Sequence, residues 1–237
     1  MKRNVVLNGR VFEYELLRKN VKNINLRINH DGSIVVSANR FVPIDAVERF
    51  ILSKREAVLK RIEKNSLKIG VPVSVGNYES GRKIRIFGEE KTLYILSGDE
   101  SLSVDGNKLV VTLKNPTDKW CVNSCCDRLL NRLLRSELLQ MSFDAHKKLK
   151  EYDISFPEIK IRKMISCWGI CRPGKCEITF SSALLHVPRE CAEYVVMHEF
   201  VHFLEPNHSK GFYLKLDAFM PDWRLRRDRL CGYYPKK

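Results

Sequence analysis

The stretch Tyr194-Val195-Val196-Met197-His198-Glu199-Phe200-Val201-His202 decides how this chain is read. Pro188 and Glu190 upstream mark a helix start, because the fixed φ of proline suits a first turn and an acidic side chain suits the positive end of the helix. Pro206 ends the segment after Leu204. On such a helix residues four apart share a face, so the imidazoles of His198 and His202 converge on one point. Glu199 stands about 100° round the helix from His198. Two neutral imidazoles suit Zn²⁺, and a carboxylate one step round reaches a metal-bound water without ligating the metal. Phe200 and Val201 cover the opposite face. With six histidines in 237 residues, chance produces this His-Glu-x-x-His spacing in about one chain in a hundred of this composition. A pair of ordinary helix histidines is therefore the weaker reading.

A catalytic zinc takes three protein ligands and keeps one open position. His208 is the third candidate, because Glu205-Pro206-Asn207 breaks the helix and lets the chain turn back. No glutamate follows Glu205, which disfavours a glutamate ligand on a later helix; Asp217 and Asp222 are the weaker rivals. The chemistry expected of His198, His202 and His208 around Zn²⁺ is hydrolysis. The cation lowers the pKa of water to near 7, and Glu199 acts as general base and then returns the proton to the leaving group. The segment Cys176–Phe180 reads as a strand whose edge is offered to an extended peptide. Trp168, Gly169 and Tyr213 are candidate substrate-lining residues, with Gly169 read as a flexible partner to the large ring in a tight loop. Tyr194 and Tyr213 are candidate oxyanion donors, with core packing as the plainer role.

Outward from this segment the chain reads as α+β: a β-rich N-terminal region with one helix (1–116), then a zincin-like catalytic domain (117–237). Asn8-Gly9 and Asp31-Gly32 lie between alternating apolar segments, as hairpin loops do. Pro43 opens a helix to about Glu63, with Val47, Phe50, Ile51, Val58 and Ile62 as its stripe. Ile84/Ile86 and Leu93/Ile95 alternate, and Asp105-Gly106 joins two further strands. Thr117 or Asp118 caps a long helix carrying Val122, Leu129, Leu133 and Met141 and ending near Lys150. A strand at Glu158–Ile161 and a Gly/Pro/Cys-rich loop precede Cys176. C-terminal helices are expected to close over the site. No internal repeat is evident.

Apolar residues make up 44% and charged residues 30% of the chain, proportions that exclude wholesale disorder. No apolar run approaches the roughly 18 residues of a membrane span. The basic start Met1–Asn4 is followed only by Val5-Val6-Leu7, too short for a secretory leader, so the cytoplasm is the expected compartment. The eight cysteines then read as thiols rather than as a disulfide framework, and Cys167, Cys171 and Cys176 fit no zinc-ribbon spacing. The net charge of +14 is uneven: residues 1–66 carry a surplus of +7, residues 210–237 of +5 and residues 67–209 of only +2. Basic ends attract polyanions such as nucleic acid or nucleotides, or else form a solvated face. Arg224, Arg226, Arg227 and Arg229 are the C-terminal candidates for phosphate contact. His186 reads as structural, and His146 and His30 lack a surrounding motif.

At these residues the chain resembles the YgjP-like zinc metallopeptidases, relatives of the SprT and WLM groups. Ile161-Arg162-Lys163-Met164 with Trp168-Gly169 and Cys171 is similar to that family's Ile-Arg-x-Met-Lys-x-Arg-Trp-Gly-Ser-Cys segment. Tyr194-Val195-Val196 leading into the histidine motif, Asn207-His208-Ser209 with Phe212, and Pro221-Asp222 with Leu230 match further segments, as do Leu26-Arg27, Asp31-Gly32 and Val36-Ser37. Cys167 replaces an arginine and Ile170 a serine of the family pattern. The resemblance implies zinc on His198, His202 and His208 with Glu199 as base, and a peptide or protein substrate. Two other readings stand beside a metallopeptidase: a metal-dependent nucleotide pyrophosphatase, motivated by the basic charge, and a nucleic-acid-binding protein with a structural zinc.

Overall fold

A computed structural model describes residues 1–29, 32–66, 69–72 and 75–236. The chain forms two compact units, Met1–Ile69 and Gly70–Lys237. The architecture is α+β, as the periodicities imply. Among the described residues no helix is long and apolar enough to cross a membrane.

In the first unit β1 (Lys2–Leu7) and β2 (Arg10–Arg18) form a hairpin through Asn8 and Gly9, both at positive φ (48° and 77°). β3 (Asn25–Ile28) pairs antiparallel with β4 (Ile34–Ala38); Asp31 of the expected loop lies outside the described residues, as does His30. β2 and β4 run parallel in the middle, giving the order β1-β2-β4-β3. Alternate residues Val5, Leu7, Tyr14, Leu16, Ile34, Val36 and Ala38 share one core with helix residues Val47, Ile51 and Val58, as a one-sided sheet requires. The helical segment after Pro43 is not continuous. It is α1 (Ile44–Ser53) and α2 (Arg55–Ser66), parted at Lys54. Ser53 Oγ donates to the Phe50 carbonyl at 2.8 Å, and Lys54 N–H bonds back to Ile51 and Leu52, a local competition that ends a helix.

β5 (Ile69–Pro72) spans the division at 69/70, and the second unit carries a second four-stranded sheet. β6 (Lys83–Ile86) and β7 (Glu89–Ser97) turn through Phe87 and Gly88, again at positive φ (46° and 87°). β8 (Ser101–Asp105) and β9 (Lys108–Leu113) form the expected hairpin, and β7 runs parallel to β9, giving β6-β7-β9-β8. This is the path of β1–β4 a second time, and each copy is followed by a helix. The expectation of no internal repeat is therefore corrected. The register Tyr14↔Ile34, Leu16↔Val36 recurs as Leu93↔Leu109, Ile95↔Val111. Only the in/out pattern and the turn geometry repeat, and those leave little residue identity to notice.

α3 (Lys119–Lys148) runs unbroken for 30 residues. Asp118 caps it, its carboxylate accepting from Trp120 N (2.9 Å) and Cys121 N (3.3 Å). Val122, Cys126, Leu130 and Leu134 of α3 belong to the same core as Ile84, Leu93, Leu109 and Val111 of the second sheet. The compact units part at 69/70; the boundary at 116/117 read from the sequence separates a β-rich region from the segment that carries the histidine motif. β10 (Glu158–Arg162), β11 (Gly169–Arg172) and β12 (Glu177–Ser181) form a small sheet ordered β10-β12-β11. β12 runs parallel to β10, antiparallel to β11, and is buried along its length. The strand expected to offer a free edge is therefore the central one; β10 and β11, the latter in the stretch read as a loop, are the edges. α4 (Arg189–Val201), α5 (Lys210–Phe219), α6 (Trp223–Leu230) and β13 (Tyr233–Lys236), which pairs with β5, complete the chain.

Candidate metal and catalytic centre

α4 lies behind β11 with nine of its thirteen residues buried. That burial anchors the helix, so the side chains it presents are held in place. His198 and Glu199 stand on its last turn, and His202 is its C-terminal cap with helical dihedrals (φ −64°, ψ −16°). The next turn is tight, with Glu205 N–H bonding to Val201 O at 3.0 Å, and it returns the chain across Pro206 to His208. Ser209 then caps α5, its Oγ accepting from Phe212 N at 3.4 Å.

The three imidazoles converge. One ligand atom each from His198, His202 and His208 lies within 4.8 Å of the other two, and ring centroids are 4.8–4.9 Å apart in all three pairs. Nε2 of His208 and Nε2 of His198 are 2.9 Å apart. Ligands about 2.05 Å from a tetrahedral zinc stand roughly 3.3 Å from one another, so the cluster is of the right size. The ring orientations fit as well. His202 Nδ1–H donates to the Glu205 carbonyl at 3.0 Å, and His198 Nδ1 faces Tyr194 Oη at 3.4 Å. Partners on Nδ1 turn Nε2 toward the shared point, the arrangement that orients metal-ligating histidines. Burial pushes the His198 imidazole down to about 3, with His202 and His208 adding to the effect. Burial also lowers His202. Both rings are therefore neutral at pH 7, the state that ligates.

Phe212 forms the floor. It is fully buried, and its centroid lies 4.9, 4.7 and 4.8 Å from those of His198, His202 and His208. The sequence had marked Phe212 only by resemblance. Its position three residues after the Ser209 cap was the available signal, because that spacing points the side chain back over the preceding turn.

Glu199 is 6% exposed. Burial raises its carboxyl to about 7, while the hydrogen bond it accepts from the Cys171 backbone N–H pulls the other way. Gly169 is not the flexible element expected beside Trp168. It opens β11, and a Cβ there would lie 2.6 Å from Glu199 Oε1. The glycine gives the carboxylate its space. Trp168 is half-buried, and its carbonyl accepts from Ser181 N at 2.9 Å. Tyr213 is 37% exposed at the mouth, stacked between His208 and Trp223 at 6.4 and 5.4 Å. Tyr194 lies in the core with its ring against His198 and Trp223.

The remaining candidates fall elsewhere. Among the described residues no cysteine joins the histidine cluster, and all eight are free thiols. Cys171 is beside Glu199 and is pushed up to about 12, chiefly by burial. Asp217 accepts from Trp223 Nε1 (2.7 Å) and Arg224 (2.5 Å), and Asp222 accepts from Arg226 (2.8 Å), so both rival ligands are engaged in holding α6. The arginines of α6 are correspondingly paired: Arg226 also with Glu193, Arg227 with Asp228, Arg229 with Glu190. His186 is buried with Nδ1–H donating to the Arg85 carbonyl at 2.6 Å, a structural role as expected. His146 contacts the Ile154 carbonyl and packs on Phe156 and Phe200.

The family model for the YgjP-like metallopeptidase domain matches residues 22–232. None of the curated proteins matches the chain.

Proposed function

Because the chain belongs to the YgjP-like metallopeptidase family, and so to a group of metal-dependent peptidases, we propose that it is a zinc peptidase whose cation is held by Nε2 of His198, His202 and His208. The observation that carries this reading is the meeting of three imidazoles within 4.8 Å beside one buried carboxyl. A zinc ion there would supply Lewis acidity and make a bound water acidic near neutral pH. Glu199 accepts a proton from the attacking water at its carboxylate and delivers it to the leaving amine. Burial favours the protonated form of Glu199 and a bound cation would favour its carboxylate, so the group can serve both transfers. The edge strand β11, with Gly169 and Cys171 against Glu199, aligns an extended peptide by main-chain pairing. Tyr213, exposed beside His208, borders the scissile bond. Eight unpaired thiols support a reducing, cytoplasmic compartment.

Metal analysis joined to hydrolysis of labelled casein tests the proposal. Wild type carries one zinc per chain. Glu199→Gln keeps the zinc and loses about 10²–10⁴-fold in rate. His208→Ala loses the metal. A Glu199→Gln variant as active as wild type, or a wild-type chain that takes up no zinc, refutes the assignment.

A further inference from the structure

Five cations line one open groove of the second unit, outside the histidine cluster. α3 presents Arg128, Arg132 and Arg135, and the end of β10 presents Arg162 and Lys163, around a cavity of about 410 Å³. Positions 128, 132 and 135 fall on one stripe of the helix. Glu100 engages Arg128, with Nε at 3.2 Å. Arg135 Nη1 donates to the Ile159 carbonyl at 3.2 Å, which leaves its charge unmatched. Arg162 and Lys163 make no ion pair among the described residues, and Arg132 shares with Arg128 only the single carboxylate of Glu100. The arginines of α6 are the contrast, since each is paired with a carboxylate. The groove also lies in the stretch 67–209, whose surplus is only +2. Folding concentrates charge there that the sequence spreads out.

We infer that this groove binds the phosphodiester backbone of a nucleic acid without reading its sequence. Guanidinium forks match phosphate oxygens. From Arg128 to Arg135 the helix advances about 10 Å, the axial length of roughly three phosphates on one strand of a duplex, so a lone phosphate engages only part of the row. Ile161 is the apolar residue of the lining, and no aromatic ring lines it among the described residues. Base stacking therefore has no platform here, and the guanidinium row is left to the phosphate backbone. The inference does not depend on the metal centre.

The test is fluorescence anisotropy of the full-length protein with a labelled duplex of about 20 base pairs, titrated between about 50 and 200 mM salt. Neutralising Arg132, Arg162 and Lys163 together to alanine is expected to weaken binding at least about tenfold at the middle of that range. It should also flatten the slope of log affinity against log salt by nearly 3, at about 0.9 for each phosphate no longer neutralised. Arg132→Lys with Arg162→Lys keeps the charges and the slope. Removing Arg18, Lys19 and Arg40 from the first unit deletes as many charges and leaves affinity within about twofold. Unfolding temperatures of all variants near wild type establish that the folds are intact. The inference is overturned if wild type does not bind the duplex, if the two triple variants weaken binding equally, or if polyglutamate or tripolyphosphate binds where the duplex does not.

Discussion

Gly169→Ala is the sharpest probe of how the site is assembled. The new methyl carbon would lie 2.6 Å from Glu199 Oε1, 2.7 Å from its Cγ and 2.9 Å from its Cδ. Ordinary contact begins near 3.4 Å, so the carboxylate has to retreat by about 0.8 Å. It has little room, being 6% exposed between β11 and its own helix. The overpacking costs about 1–3 kcal/mol. The stiffer unfolded chain returns about 0.4–1 kcal/mol, since this glycine does not have a positive φ. At about 2–4 °C per kcal/mol for a unit of this size, the unfolding temperature falls by no more than about 10 °C, and the protein stays folded at 25 °C. The imidazoles are untouched, so under the proposed ligation the zinc content is expected to stay at one per chain. Misplacing the proposed base by nearly 1 Å costs roughly 10²-fold in kcat/KM. The assay is hydrolysis of labelled casein by metal-loaded protein, with zinc content measured on the same sample. Gly174→Ala, where a Cβ meets nothing within 4 Å, is the control. A Gly169→Ala rate within about threefold of wild type at full metal loading refutes the claim that β11 sets the position of Glu199.

Gly88→Ala combines positive φ (87°) with a Cβ placed 2.9 Å from Pro188 Cα at the start of α4. At about 1–2 kcal/mol for the dihedral and 1–3 kcal/mol for the overlap, it should lower the unfolding temperature by roughly 5–20 °C. Gly106→Ala, with φ 51° and open space, should lose less than half of that by the same melt. Phe212→Ala removes the floor under three imidazoles and leaves a cavity; about 3–5 kcal/mol of stability and some zinc affinity are lost together, read by denaturant titration and chelator competition. Glu177, beside Lys160 and Arg172, has its carboxyl held down to about 2. Its folded pKa lies below the unfolded value near 4.3, so its contribution is present above that value and is lost as pH falls toward 2. The melting difference between wild type and Glu177→Gln should therefore be largest at pH 5 and above and shrink steadily on acidification.

Much of the molecule was legible because it is governed locally. Asn8-Gly9, Asp105-Gly106, the Asp118 cap and the stripe of α3 each depend on residues a few positions apart, and each recurs in the structure, whereas the histidine helix stops at Val201 instead of running to Leu204. His198, Glu199 and His202 belong to this class, since a helical turn alone sets their mutual geometry. The break at Lys54 was missed because continuous apolar spacing conceals a serine bonded back to the preceding turn. β11 was missed because Gly169-Ile170-Cys171-Arg172 has no alternation of its own. It is a strand because β12 pairs with it.

From sequence alone came the helix, the one-turn spacing of two imidazoles with a carboxylate between them, and the hairpins, all written in interactions between near neighbours. Tertiary structure alone decided that His208 closes the triangle over Phe212, that β11 rather than β12 is an open edge, that one strand path is used twice, and that arginines more than twenty residues from their partners on β10 face one groove. Those outcomes depend on which distant segments pair and bury one another, and that choice is made by the whole core at once rather than by any single window of residues.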